Sequence, residues 1–579
     1  MRDLIGLDLG LSERFGFPED PPASGFDNIG KALVMSPLQM ELYYDAAKFV
    51  IDRALVEGDR PKSIKWRVQF ENGVNGMDRY REEFDGQNLI VNAGKNPIVD
   101  GMVKIHHDAW NKVPGFRRFK VPYEGHYTVR VRAAGEVPSQ DEVFRTAEAM
   151  YAKRKGQNWT EKHIEHFRDD RRYHYGAPRM RLKSSFSNSQ PVIWGDVDVD
   201  APISSPEIYT FQTYFDADGA GLQINNVYTI PRHLYNFWCK SSEEFMDPKK
   251  HSHTFPRPTL YVDWLEIEGP VLNEWPPESH SRILFESPEA ELGEGAYARA
   301  VIASFMQRAF RRPVSDEEVD KKLEIFRRVR PEKSSFVEAI KSPLIAVMVS
   351  PSFLFISEPS DQEQGRELDS HEKVARLSYF LWSTMPDGEL AKLAATGPLG
   401  AEQLASQVDR MLANPKSQSF VENFAGQWLG LREIGNNPPG MEYFPRYDRH
   451  LETSMQLESE AFFAEVLHKD LPVQNFLKSD WSMLNQRLAR FYDIDGVKGD
   501  QFQRVSLPAG SQRGGVVTQG SMLTVTSNGT RTSPVVRGKW ILERLLGDPP
   551  PPPPPNVEEI PQPNVNAALP IRDRLDQHR

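Results

Sequence analysis

Few residues in this chain are of the types that do chemistry, and their spacing limits what they could do. Asp216-Ala217-Asp218-Gly219 opens like a calcium loop, with two carboxylates two apart and then a glycine for the turn. The twelve-residue EF-hand pattern is not completed, because its last place falls on Val227 instead of a bidentate acid. Calcium at Asp216 and Asp218 would need oxygens from other loops, and a plain turn fits the same residues. Asp196, Asp198 and Asp200 alternate, so on a strand they share one side. Like charges crowded in this way cost stability unless a cation neutralises them or water screens them.

The histidines suggest metal only weakly. His163 and His166 are three apart, which on a helix puts both on one face. Zinc would need a third and a fourth ligand, and His174 is the nearest histidine. His106-His107 and His251-Ser252-His253 read as surface pairs. The single cysteine, Cys239, follows Tyr235, Phe237 and Trp238 and reads as a buried thiol among aromatics. One thiol can form neither an internal disulfide nor a CxxCH haem site.

The most distinctive polar stretch runs from Ser527 to Trp540. Ser533 can cap the helix that Pro534 begins. With Ser527, Arg531 and Arg537 it could also hold an anion at that helix start. Glu458, Glu460 and Glu465 read as the polar side of an amphipathic helix that also carries Phe462 and Phe463. No HExxH, GxSxG, P-loop or dinucleotide fingerprint occurs. The sequence shows no recognisable catalytic constellation, and whether the protein is an enzyme stays open.

The elements that must position these residues follow from composition and period. The 579 residues are 39% hydrophobic and 26% charged, enough apolar material for several cores. A net charge of -11, with no long basic stripe, argues against a nucleic-acid partner. No run of 18 apolar residues is present, so no membrane span is expected, and the first residues do not read as a signal peptide.

Residues 1–60 read as a loop and a helix that starts at Ser36-Pro37. Over 61–275 the period is two, with many short strands between turns. This predicts a β-sandwich of jelly-roll type, interrupted by a charged helical insertion at 137–178. The period becomes 3.6 from about 290, which predicts helical regions over 290–360 and 365–498. Ser315-Asp316-Glu317-Glu318 is a capping box there. Residues 499–579 read as a small mixed region that includes the polyproline run Pro549–Pro555. The expected class is multidomain α+β: a β-sandwich, then a mainly helical body, then that mixed region.

Four stretches together resemble a planctomycete family assembled from domains of unknown function 1587, 1595, 1592 and 1588. They are Gly25-Phe26-Asp27-Asn28 with Ser36-Pro37; Arg308-Ala309-Phe310-Arg311-Arg312-Pro313-Val314-Ser315 with Ser350-Pro351-Ser352-Phe353-Leu354-Phe355; Arg376-Leu377-Ser378-Tyr379-Phe380-Leu381-Trp382 with Phe424-Ala425-Gly426-Gln427-Trp428-Leu429; and Gly514-Gly515-Val516-Val517 with Arg531-Thr532-Ser533-Pro534-Val535-Val536-Arg537-Gly538-Lys539-Trp540. The resemblance implies export to a periplasmic or extracytoplasmic place. It also implies a link to a cytochrome c domain or redox partner, with haem c carried only by segments outside this chain. No cofactor is expected within the chain apart from the calcium at Asp216 and Asp218.

Phe119 to Val131 and Val262 to Pro270 resemble strands of carbohydrate-binding modules, which implies a polysaccharide partner for the sandwich. Three readings compete: the polysaccharide-binding body of an electron-transfer protein, a polysaccharide-acting enzyme with its site in the helical body, and a structural envelope protein.

Overall fold

The computed structural model describes residues 1–7, 9–18, 26, 35–70, 79–84, 87–92, 98–105, 115–119, 121, 123–139, 141–142, 145, 176–185, 192–215, 220–227, 258–356, 366–439, 447 and 449–551. The chain is mixed α/β, with helices dominant and the named strands paired antiparallel. No described helix is long and apolar enough to cross a membrane.

Among the described residues, twelve strands between 64 and 269 form two six-stranded sheets. In the first, β7 (Gly125–Glu136) and β12 (Thr259–Gly269) lie side by side. β1 (Ile64–Gln69) and β5 (Met102–Ile105) pair with β12, β10 (Glu207–Phe215) pairs with β7, and β4 (Ile98–Val99) pairs with β5. The second sheet has the order β2 (Arg79–Phe84), β3 (Gln87–Asn92), β6 (Gly115–Phe119), β11 (Ala220–Asn226), β8 (Arg179–Ser185), β9 (Val192–Asp198).

Both sheets contribute to one core. Trp66, Val68, Val129, Val131, Leu265 and Ile267 come from the first, and Met180, Leu182, Leu222 and Ile224 from the second. The period-two pattern predicts this, since alternate residues must all be apolar to close a shared layer. The polar strand Arg79-Tyr80-Arg81-Glu82-Glu83-Phe84 is an addition to the sequence reading, because it carries no apolar alternation.

The first helical layer packs α1 (Arg2–Ile5) and α3 (Pro37–Ala54) with α5 (Glu294–Phe310), α6 (Asp316–Val329) and α7 (Phe336–Met348); the short α2 (Leu11–Phe15) and α4 (Glu278–Ser281) flank it. The expected caps are present: Ser36 with Gln39 and Ser315 with Glu318 each form reciprocal capping boxes. Pro343 lies inside α7 without ending it. Tyr214 and Trp194 of the sheets pack into this helical core, which ties the sheets to it.

A second helical layer begins at α9 (Ser370–Trp382), after the short α8 (Pro351–Leu354). α10 (Gly388–Ala395) and α11 (Ala401–Ala413) share one core with α9. α12 (Gln418–Trp428), α13 (Arg449–His468) and α16 (Pro534–Trp540) share another, closed by Trp481 of β13 (Trp481–Leu484). β13 pairs with β14 (Gln503–Ser506). α14 (Gln486–Tyr492) and α15 (Gly520–Val525) pack against α13.

Two element ends are set locally. α14 begins at Gln486, because Trp481–Leu484 is a strand and Asn485 caps the helix. α16 ends as an α-helix at Trp540 and continues over Ile541–Leu545 in a wider turn.

Candidate functional site

A cleft of about 830 Å³ lies between the two helical layers. One wall carries Arg2, Asp3 and Gly6 from the N-terminus, Arg282, and Gln307, Arg308, Arg311, Arg312 and Pro313 around the end of α5. The other carries His371 and Val374 of α9, Met385 to Gly388, Ala391 and Ala395 around α10, and Lys416. Six permanent cations (Arg2, Arg282, Arg308, Arg311, Arg312 and Lys416) thus line a site with two acids, Asp3 and Asp387.

Those two acids are already committed. Asp3 accepts from Lys416 at 2.6 Å and lies 3.4 Å from Arg2. Burial would raise its carboxyl, but Lys416, Thr384 and Arg2 outweigh burial and hold it below the ordinary carboxylate range. Asp387 caps α10 through the Leu390 amide and accepts from Arg410 at 2.8 Å, and it too is held low against burial. Neither carboxyl is set up as a base.

Arg308 and Arg311 differ from the other cations. Arg312 is held bidentate by Glu318, and Arg282 donates once to Glu278. Arg308 donates only to carbonyl oxygens, at Arg282 (3.0 Å) and Leu4. Burial and the neighbouring Arg282 charge push its guanidinium value down. That is the response of a cation in a place already too positive. Arg311 donates to the carbonyls of Ser352, Phe353 and Phe355 and to the Tyr379 hydroxyl, at 2.7–3.1 Å. Among the described residues neither has a carboxylate partner. Arg311 also ends α5 in the left-handed region at φ 60, where glycine is the usual residue. A side chain there costs about 1–2 kcal/mol, and the four acceptors hold it in place. The cleft therefore presents two fixed cations, one turn apart, with charge left to neutralise. Val374, Met385, Pro386, Ala391 and Ala395 supply an apolar wall facing them.

A second polar centre is sealed inside the second layer. Glu458 is 1% exposed, and it accepts from Tyr492 at 2.6 Å and from Ser482 at 2.9 Å. Burial pushes its carboxyl up to about 7, against the pull of Tyr492, Ser482, Arg513 and the Gly520 amide. Arg513 lies 3.6 Å over the Tyr492 ring. Glu460 is buried as well, at 3% exposure, and is also raised by burial. The amphipathic reading of this helix is corrected here: β13, α14 and α15 close over the side that Glu458 occupies, so it faces the core.

Two of the three alternating aspartates, Asp196 and Asp198, pair with arginines of the neighbouring strand β8. Arg181 grips Asp196 through two 2.7 Å bonds, and Arg179 donates to Asp198 at 2.9 Å. Arg179 also donates to Asp500, whose other oxygen lies 3.0 Å from His450 Nε2. Asp198, His450 and Asp500 bring possible ligand atoms within 4.8 Å of one another. Arg179, which donates to both carboxylates, occupies the place a divalent ion would need.

In the polar stretch, Ser533 caps α16 at the Val536 amide. Arg537 donates to Thr526 and Thr532, Ser527 to the Thr524 carbonyl, and the Arg531 amide to Asn528. These bonds all stay within residues 524–537, around the bridge between Ser527 and Thr532. Asp216, Asp218, His163, His166, His174, His106, His107, His251, His253 and Cys239 lie outside the described residues, as do most of 137–178 and the chain beyond Pro551.

Sequence reasoning passed over the cleft. Its only local signal was Arg308-Ala309-Phe310-Arg311-Arg312, three arginines closing an apolar helix.

Four family models match the chain in order, all described as proteins of unknown function. They are DUF1587 (PSD3) over residues 1–56, DUF1595 (PSD5) over 297–358, DUF1592 (PSD4) over 368–494 and DUF1588 (PSCyt3) over 513–579. No curated protein matches. Arg2 and Asp3 fall in the first match, Arg308 to Pro313 in the second, and His371, Asp387 and Lys416 in the third. The four ordered matches, which together span more than half of the chain, place it in the multidomain family built from these regions of unknown function.

Proposed function

We propose that this protein is a binding body whose interlayer cleft takes an anionic ligand bearing a carboxylate, sulfate or phosphate group and an apolar flank. The observation that carries this reading is Arg308 and Arg311, immobilised by carbonyl and hydroxyl acceptors with no carboxylate partner among the described residues. Preorganised cations in a partly dry cleft favour an anion without further ordering cost. Binding is favoured over catalysis because both carboxyls of the cleft are held as ion pairs. Titration calorimetry of the intact chain with sodium sulfate and with glucuronate is the test. Salt-sensitive binding that weakens about tenfold in Arg311→Met supports the reading; equal binding by both proteins contradicts it.

A second reading places a polysaccharide on the first sheet. It is favoured by that sheet's outer face, where Arg67 covers Trp264 at 4.1 Å beside a ladder of Lys65, Arg130, Glu266 and Glu268. Flat polar surfaces with an aromatic base suit sugar rings. Under this reading the protein is exported and joined to a cytochrome c domain, and Asp216 and Asp218 hold calcium. Calorimetry against a panel of polysaccharides, with and without EDTA, tests it. Absence of binding removes the sugar, and EDTA-insensitive binding removes the calcium.

A further inference from the structure

We infer that the ligand of the cleft is an anionic amphiphile, one charged head group on a flexible aliphatic chain, and that its chain leaves the cleft past Arg311 into a second cavity built on Phe310, Phe355 and Ile356. This deepens the anion-binding reading above and rests on it.

The second cavity holds about 300 Å³ and shares Arg311, Arg312 and His371 with the cleft. α9 borders both: Val374 lines the cleft, and the next residue, Ala375, lines the smaller cavity. The opposite side of the smaller cavity is the segment after α7, with Ser352, Phe355 and Ile356. That segment also supplies the carbonyls of Ser352, Phe353 and Phe355 that hold the Arg311 guanidinium. Arg311 therefore stands where the two spaces meet. Phe355 and Ile356 are 40% and 47% exposed, two consecutive large apolar side chains left open in a concave place. Covering them with an apolar group is favourable in proportion to the area removed from water.

Charge decides which end of the ligand goes where. The smaller cavity also carries Asp369 and Glu372, the capping pair of α9. Glu372 accepts from Arg366 at 2.7 Å and from the Asp369 amide at 2.9 Å, and Asp369 accepts from the Glu372 amide at 2.9 Å. Two fixed carboxylates repel an anionic head in that cavity, and Arg311 and Arg312 on its wall repel a cationic one. An uncharged chain meets neither penalty. In the cleft the balance is the reverse. Arg308 and Arg311 have no carboxylate partner among the described residues and are fixed by carbonyl and hydroxyl acceptors. One anionic head between them answers both charges. A ligand that enters both spaces must turn past the Arg311 side chain, which the single bonds of an aliphatic chain allow and a rigid ring system does not.

The test reads head and chain separately. The intact chain is titrated by calorimetry with sodium sulfate and with butanoate, hexanoate, octanoate and decanoate at constant ionic strength. Sulfate should bind, and carboxylate affinity should rise about two- to fourfold per added methylene until the smaller cavity is full. Sulfate should displace octanoate competitively. Ile356→Asn, at an exposed position, and Ala375→Phe, which fills the cavity, should each lower the octanoate-to-butanoate affinity ratio at least about threefold. If Ala375→Phe does not fold, Ile356→Asn decides. Sulfate binding with no gain along the carboxylate series overturns the amphiphile and leaves the anion reading standing. A gain with chain length that is undiminished in Ile356→Asn overturns the second cavity as the seat of the chain. Octanoate binding without any sulfate binding overturns the anion reading and this inference with it.

Discussion

Arg311 reaches Tyr379 across the cleft: its guanidinium donates to the phenol oxygen at 3.1 Å and ties the end of α5 to α9. The same group holds three carbonyls of the segment that follows α7, so one side chain both closes the cleft and supplies its charge. Arg311→Met should lower anion affinity about tenfold and also cost about 1–3 kcal/mol of stability, since four acceptors, most of them half-buried, lose their donor. Arg312→Gln, at an exposed ion pair with Glu318, should cost less than about 1 kcal/mol. Urea denaturation of both variants is the check, and similar losses would contradict the distinction.

Glu458 gives the second layer a pH dependence of stability. Its carboxyl is pushed up to about 7 in the folded protein, above the ordinary carboxylate value of 4.5. The folded state therefore holds this proton more tightly than the unfolded chain. The resulting stability is fully present below about pH 4.5 and is lost as pH rises through about 7, by about 3 kcal/mol. Glu458→Gln imitates the neutral acid and should remove this loss. Thermal unfolding of the parent protein and of Glu458→Gln from pH 5 to pH 8 measures it as a gap that widens with pH.

Gly515→Ala should destabilise by at least about 3 kcal/mol. Gly515 sits at φ +75, and a Cβ there would meet backbone atoms of Leu477 and Phe476 at 2.6–2.7 Å, which cannot yield as a side chain could. Gly547→Ala shares the positive φ but has open space around it, so it should cost only about 1 kcal/mol. Equal effects in chemical denaturation would show that conformation, and not contact, sets the requirement.

Much of the scaffold could be read from local signals. Ser36 with Gln39 and Ser315 with Glu318 announce helix starts because both halves of a capping box lie within four residues. Strands such as Glu207–Phe215 and Thr259–Gly269 follow from period two and β-branched or aromatic content. The cleft could not be read this way. Arg2, Arg311, Asp387 and Lys416 are far apart in sequence, and each alone is an ordinary surface residue type. Glu458 could have been found: Met455 and Phe462 flank it at spacings of three and four, which puts it on the apolar stripe of its helix. Asp196 and Asp198 posed a charge problem in sequence, but the answer, Arg181 and Arg179, depends on the register of β8 against β9.

The claim that the cleft holds an anion between Arg308 and Arg311 is tested most directly by a crystal of the intact chain soaked in selenate, located by its anomalous scattering. The account predicts a selenium peak within hydrogen-bond distance of the Arg308 or Arg311 guanidinium, and its loss in Arg311→Met. Selenate bound elsewhere on the protein, with none in the cleft, would contradict it.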